Sequence, residues 1–433
     1  MTSSRSLTIM HGQRRVGTLG EAAGLWQLEY APEWLEAEDS FDLSPTLLRV
    51  SNPIVDGASQ RPVQWFFDNL LPEEGARALL AREAHLSGED AFALLAHYGA
   101  ESAGALTLLV PGALQPAGGL RPLDDATLHE RIARLPQQSL AAQAPKHMSL
   151  AGAQHKLAVT LRDGSLFEPE GATPSTHLLK PDHRDTAYFP HSVANEWFVM
   201  QLAARTGLQI PPISIRQVPD PVYLIERFDR ITSSSGLTER LHAIDACQLL
   251  GLDRQFKYRA ANTDALLRCI QACRSRATTR QRLYRWLLFN LMTGNHDAHL
   301  KNLSFLVDSS GIALAPHYDL LCTVLYGHAS DDPSHWPSAE LPLTLEGART
   351  FGELRRHHVV TIGVELGLGR PASERLLDQM LVDLPRHAAA LYEQLETDAN
   401  HGHAPALHPG ELRFLRQINH LVIAGMTAAL GNG

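Results

Sequence analysis

Apolar residues recur at three- and four-residue intervals in QRLYRWLLFNLMTG, which puts Leu283, Trp286, Leu287 and Leu291 on one side of a helix that stops at Gly294. Beyond that glycine the period changes. LSFLV and IALAPHYD read as two strands joined by Asp308, Ser309, Ser310 and Gly311, a hairpin that carries the chain on to Asp319. Upstream, KLAVTLRDGSLF predicts a hairpin around Asp163 and Gly164, STHLLKP a strand ending in Lys180, SVANEWFVMQLAARTG a helix closing on Gly207, and PDPVYLIERFD a further strand. Near the N-terminus, SLTIM, QRRVGTLG and WQLEYA suggest strands, and VQWFFDNLLPEEGARALLAREA suggests a helix interrupted near Pro72.

These elements divide the chain into four stretches: an α+β domain over residues 1–112, a Pro-, Gly-, Ala- and Gln-rich connector over 113–146 around the helical LDDATLHERIARL, a sheet-rich lobe over 147–238, and a mostly helical lobe over 239–433. The fold class is therefore α+β. A small sheet-containing lobe followed by a large helical one is the plan of a two-lobed, protein-kinase-like fold, with a β-rich N-terminal subdomain fused ahead of it.

The stretch between helix and hairpin, GNHDAHLKNLSF, carries the chemistry. Asp297 and Asn302 stand five positions apart, and the hairpin delivers Asp319 after them. Phosphoryl transfer needs one carboxylate to orient and deprotonate the acceptor hydroxyl and two oxygen ligands to hold Mg²⁺ on the ATP phosphates. Helix, D(x4)N loop, hairpin and aspartate follow in the order that protein kinases use. A competing reading takes HDAH as transition-metal ligands, but 22 histidines make close pairs common, and no HExxH or paired CxxC accompanies them. In the sheet-rich lobe Lys180 ends an apolar strand from which an ammonium reaches phosphates, and Glu196 on the next helix is its candidate partner. SLAGAQHK, Ser149 to Lys156, has the small residues that a phosphate-covering loop needs, although its single glycine, Gly152, makes no Walker A motif. IERFDR would form a hinge in which backbone groups of Glu226 to Phe228 pair with adenine.

Composition narrows the picture. Lys plus Arg (38) against Asp plus Glu (47) gives a net charge of −9, which argues against strong nucleic-acid binding by this chain alone. The four cysteines form no disulfide framework, Cys269 and Cys273 being spaced as neighbours on one helix, and a reducing cytoplasm fits. No apolar run is long enough to suggest export or membrane insertion.

The blocks FFDNLLPEEGAR, YGAESAGAL, SLAGAQHKLAV, THLLKP, NEWFVMQLAARTGL, LIERFDR, FNLMTGNHDAHLKNLS and LAPHYDLLCT, in this order, resemble the HipA-type serine/threonine protein kinases, the toxins of bacterial HipBA toxin–antitoxin modules. The stretch LPLTLEGARTFGELRRHHVV follows the family pattern only loosely. By the resemblance Asp297 is the catalytic base, and Asn302 and Asp319 bind Mg²⁺. Ala151, Gly152, Ala153, Gln154, His155, Lys156, Lys180, Glu226, Arg227, Phe228, His299 and Tyr318 line the ATP site, and Ser149 is the site of autophosphorylation. The resemblance also implies a small helix-turn-helix antitoxin as partner, contact with DNA only through that antitoxin, and an aminoacyl-tRNA synthetase, typically glutamyl-tRNA synthetase, as the phosphorylated protein. Two other readings of the same residues are a small-molecule kinase of this fold and a catalytically idle member of a repressor complex.

Overall fold

Strands β1 (Arg5–His11) and β3 (Leu25–Tyr30) alternate buried with more exposed positions, β2 (Arg14–Ala22) between them buries Val16, Gly17, Leu19 and Gly20, and the three pair antiparallel in sequence order. With β4 (Ile54–Val55) and β5 (Leu106–Leu109) they complete a five-stranded sheet in the order β4-β3-β2-β1-β5. The interrupted helix is two helices, Pro62–Asp68 and Glu74–Glu83, with Pro72 in the break. The computed structural model describes residues 4–326, 333–401 and 407–431.

The chain forms two units, each assembled from distant segments. Unit 1 comprises Met1–Lys180, Ile225–Phe256 and Ser304–Ala315; unit 2 comprises Pro181–Leu224, Lys257–Leu303 and Pro316–Gly433. In unit 1 the stretch 113–146 contains β6 (Gly119–Pro122) and the helix Asp125–Ala133. Arg131 on that helix reaches Glu168 Oε1 at 2.6 Å, a buried ion pair that fastens the segment to the sheet. Strands β7 (Leu157–Arg162) and β8 (Ser165–Glu170) form the expected hairpin. Asp163 (φ +50°) and Gly164 (φ +76°) supply the two left-handed residues of its two-residue turn. β6 pairs with β8, and β9 (His177–Pro181), which carries Lys180, pairs with β7.

Unit 1 also holds a smaller antiparallel sheet. Ala243–Asp245, Ser304–Asp308 and Gly311–Leu314 make a three-stranded sheet, so the hairpin after the D(x4)N loop belongs to this unit, and its second strand ends at Leu314, two residues before Pro316.

Unit 2 is built around the helix Arg276–Thr293. From Trp286 to Thr293 every side chain is buried, Leu287, Leu288, Phe289, Leu291 and Met292 completely. Burying each of these large side chains contributes about 1.5–3 kcal/mol relative to exposure. The helices Thr263–Ala272, Arg356–Glu365 and Arg370–His401 and the π-helical segment Ile418–Ile423 pack on it. Such burial leaves the end of this helix rigid, and the D(x4)N loop begins there.

Candidate active site

Gly294 caps that helix in the left-handed conformation (φ +68°, ψ 39°). A Cβ there would stand 2.5 Å from Val324 Cγ2 and 2.7 Å from Val422 Cγ1, so space and backbone both require glycine. Asn295 follows, 1% exposed, and its amide meets four residues on three segments. Nδ2 donates to Asn290 Oδ1 (2.7 Å) and to the Asp319 carbonyl (3.4 Å); Oδ1 accepts from the Asp297 N–H (3.1 Å) and the Thr323 hydroxyl (3.3 Å). Thr323 in turn donates its N–H to Gly294 O at 3.0 Å and accepts from the His296 N–H at 2.8 Å. Helix end, loop and the Asp319 segment are thereby held as one polar cluster.

Asn302 closes the loop on itself. Its Nδ2 donates to the Asp297 carbonyl at 2.8 Å, which fixes the amide plane and commits the nitrogen, leaving Oδ1 as the atom suited to a cation. A single turn of 3₁₀ helix, Leu300–Asn302, carries it there. Asp319 lies in the left-handed region at φ +57°, a conformation that Asp tolerates better than most residues. Among the described residues no group of three or more His, Cys, Asp or Glu gathers to hold a metal by itself. An amide oxygen and a carboxylate, with substrate phosphates and water to complete the shell, are instead the donors that suit Mg²⁺.

The Asp297 side chain is 46% exposed. Its Oδ1 accepts a hydrogen bond from the Tyr258 hydroxyl and lies 4.0 Å from His299 Nε2. Partial burial pushes its carboxyl above the usual carboxylate range and the Asp319 charge adds to that push; His299, Tyr258 and Lys257 pull the other way. The Tyr318 hydroxyl donates to the Lys301 carbonyl at 3.0 Å, just ahead of Asn302.

In unit 1 the loop Ser149–Lys156 is seated on the N-terminal helices. Ser149 is fully buried: its hydroxyl donates to Leu70 O at 2.5 Å and its N–H to Glu101 O at 2.8 Å. Gly152, at φ +104°, pairs with Pro72 and accepts from the Glu73 N–H, and Lys156 Nζ folds back onto Ala151 O at 2.5 Å. Ala153 is exposed, Gln154 and His155 are half-buried, and Lys180 is buried. Glu226 is exposed and Phe228 half-buried, whereas Arg227 is buried. The Arg227 guanidinium contacts Asp229, Ser175, Glu101 and Ser102 O, and its N–H donates to Thr176 O at 2.9 Å. The side chain is thus committed to the interior.

A family model described as the HipA N-terminal domain matches residues 7–109, and one described as the HipA-like C-terminal domain matches residues 148–388. This chain belongs to the HipA family of serine/threonine protein kinases. Among its relatives is a Sinorhizobium fredii protein named putative kinase Y4mE, 36% identical over 391 residues that span 87% of each chain. The serine/threonine-protein kinase toxin HipA of Shewanella oneidensis is 30% identical over 75% of this chain and 77% of its own. The solved structure of the Shewanella oneidensis toxin–antitoxin complex of HipA, HipB and operator DNA contains a chain that matches with a TM-score of 0.81 and 25% identity, over 98% of this chain and 97% of that one. The α+β, kinase-like fold expected from the sequence is therefore established.

Sequence reasoning about this HipA-type kinase passed over Asn295, Thr323, Lys257 and Tyr258, each of which touches the loop or its anchors. An amide two residues ahead of Asp297 was the one local hint, and after Gly294 it reads as an ordinary turn residue. The role of Glu101 was equally hidden, 126 residues from Arg227. No helix among the described residues of this kinase is long and apolar enough to cross a membrane.

Proposed function

We propose that the protein transfers the γ-phosphoryl group of ATP to a serine or threonine hydroxyl of a protein, with Asp297 as the base and with Asn302 Oδ1 and the Asp319 carboxylate as ligands of Mg²⁺. The observation that carries this reading is the pair of amides around Asp297. Asn302 is locked onto the Asp297 carbonyl, and Asn295 ties the Asp297 N–H to the Asp319 carbonyl. A base and two hard oxygen donors held by shared hydrogen bonds need no rearrangement when substrate arrives. Mg²⁺, when bound, neutralises phosphate charge and aligns the β- and γ-phosphates. Asp297 orients the acceptor hydroxyl and takes its proton, a task helped by a carboxyl pushed above the ordinary range. Ala151 to Lys156 cover the phosphates, Lys180 pairs with them, the chain at Glu226 to Phe228 meets adenine through its backbone, and His299 and Tyr318 line the site.

Ser149 is the proposed site of autophosphorylation. In its present seat the hydroxyl is fully buried against Leu70 O, where a phosphate of about two negative charges would have to be taken out of water beside a carbonyl oxygen. Modification therefore requires the loop to leave that seat and keeps it out, which removes the cover from the nucleotide phosphates. The family relationship supports the rest of the reading: a toxin that phosphorylates an aminoacyl-tRNA synthetase of the glutamyl type, neutralised by a small helix-turn-helix antitoxin through which alone it meets DNA.

Radiolabelled ATP with Mg²⁺, glutamyl-tRNA synthetase and either wild-type protein or Asp297→Asn tests it. Label on the synthetase and on Ser149 with wild type only is expected. Label on the synthetase with Asp297→Asn, or on no protein with wild type, overturns the assignment.

A further inference from the structure

The half-exposed carboxylate assigned as the base already holds a hydroxyl. Tyr258 is 46% exposed, yet its phenol O–H donates to Asp297 Oδ1. The ring is contacted from two sides. The His299 ring meets it edge-on, with centroids 4.9 Å apart and planes at 80°, and Lys257 Nζ stands 5.1 Å from its centroid. The segment is also tied to the D(x4)N loop, since the Leu300 N–H donates to the Lys257 carbonyl at 3.2 Å. A phenol O–H offers a carboxylate what a serine, a threonine or a water offers it: one donated hydrogen bond. A phenol at that oxygen takes up one of the acceptor positions that the others would use.

We propose that Tyr258 guards the base: its hydroxyl fills the acceptor position on Asp297 until a protein hydroxyl displaces it, and so keeps water from being activated in its place. The proposal rests on Asp297 being the base. The reaction it suppresses is ATP hydrolysis without a protein acceptor. There a water oxygen bonds to the γ-phosphorus, the bond from that phosphorus to the β–γ bridging oxygen breaks with its electron pair leaving on ADP, and the water proton passes to Asp297. Tyr258 is a positioning residue in this account. The exposure of its ring gives it room to swing aside, and the His299 and Lys257 contacts bring it back.

The test is steady-state ADP release from ATP, with Mg²⁺ and no added protein substrate, by the full chain. Tyr258→Phe removes the hydroxyl and keeps the ring; Tyr258→Leu removes both. Each is expected to raise kcat for ADP release about tenfold or more, the factor carried by one hydrogen bond to a charged group, with little change in KM for ATP. Asp297→Asn, alone or combined with Tyr258→Phe, should abolish release. Failure of both Tyr258 variants to raise kcat while Asp297→Asn is inactive overturns the guard and leaves the kinase reading standing. Wild-type turnover by Asp297→Asn overturns that reading and the guard with it. A Tyr258 that merely supported the fold would lower turnover or raise KM when replaced, never raise kcat alone.

Discussion

Glu101 is the residue of unit 1 whose neutralisation should cost most. It is 0% exposed and its Oε1 accepts from Ser175 Oγ (2.6 Å), Ser175 N (3.1 Å), Arg230 Nη2 (2.8 Å) and Arg227 Nη1 (3.3 Å), while Oε2 accepts from Lys146 Nζ (2.7 Å). Burial pushes its carboxyl up, but Lys146, Arg230 and Arg227 more than reverse this and hold it well below the usual range. Glu101→Gln keeps the shape and removes the charge, leaving Lys146, Arg227 and Arg230 with Asp229 as the remaining buried carboxylate of the cluster. Breaking a buried ion pair from one side costs about 3–5 kcal/mol. Urea unfolding read by circular dichroism should show a loss of that size, and amide exchange should rise in peptides covering residues 99–109 and 225–232. Adding Lys146→Met, which removes a cation that then has no carboxylate beside it, should recover about 1–2 kcal/mol. A loss under about 1 kcal/mol, or a double variant worse than Glu101→Gln, would refute the view that charge compensation rather than packing holds this cluster.

Further outcomes follow from the same contacts. Gly294→Ala forces a side chain into a left-handed position against Val324 and Val422 and should cost about 2–4 kcal/mol from strain and overpacking together, measured by thermal unfolding. Asn295→Ala unties Asp297 from Asp319 and should lower kcat for phosphoryl transfer by about 10²-fold with little change in KM for ATP; an unchanged kcat would sink its positioning role. His242, buried on Phe41 with Nε2 donating to Leu43 O, is pushed by burial down to about 4, so the folded chain stays neutral there while the unfolded chain takes a proton below its ordinary value of about 6.5. Its contribution, about 3 kcal/mol, is present above pH ~6.5 and lost as pH falls toward 4, and His242→Gln should flatten that limb of a urea midpoint-against-pH curve. The depressed Glu101 and Asp229 carboxyls lose theirs only at lower pH.

What the sequence made legible was local in the chain. The helix before the D(x4)N loop shows in the spacing of Leu283, Trp286, Leu287 and Leu291, and its end shows in Gly294, because periodicity and a left-handed cap are properties of a few consecutive residues. The β7–β8 turn shows in Asp163-Gly164 for the same reason. What stayed hidden was the set of polar partners far away in sequence. Tyr258 stands 39 residues before Asp297, and Asn295 reaches a carbonyl 24 residues on. Arg227, read in IERFDR for its backbone alone, spends its guanidinium on Glu101, Ser175 and Asp229, two of which lie far away in sequence.

The division has a physical origin. A motif states which groups meet the phosphates, but a side chain as short as Asp or Asn can be aimed only by hydrogen bonds to something else that is already fixed. Here those fixed points are a helix buried on every side from Trp286 to Thr293 and a set of buried amides and hydroxyls that carry no pattern along the chain. A HipA-type sequence that kept Asp297, Asn302 and Asp319 but replaced Asn295 with an apolar residue would still match the motif. It would leave the Asp297 N–H and the Asn290 amide oxygen without the partners they have here, an imbalance of about 1–3 kcal/mol for each buried group, and the loop would relieve it by moving. On the proposed assignment the motif supplies the reacting groups, and the cluster around Asn295 aims them.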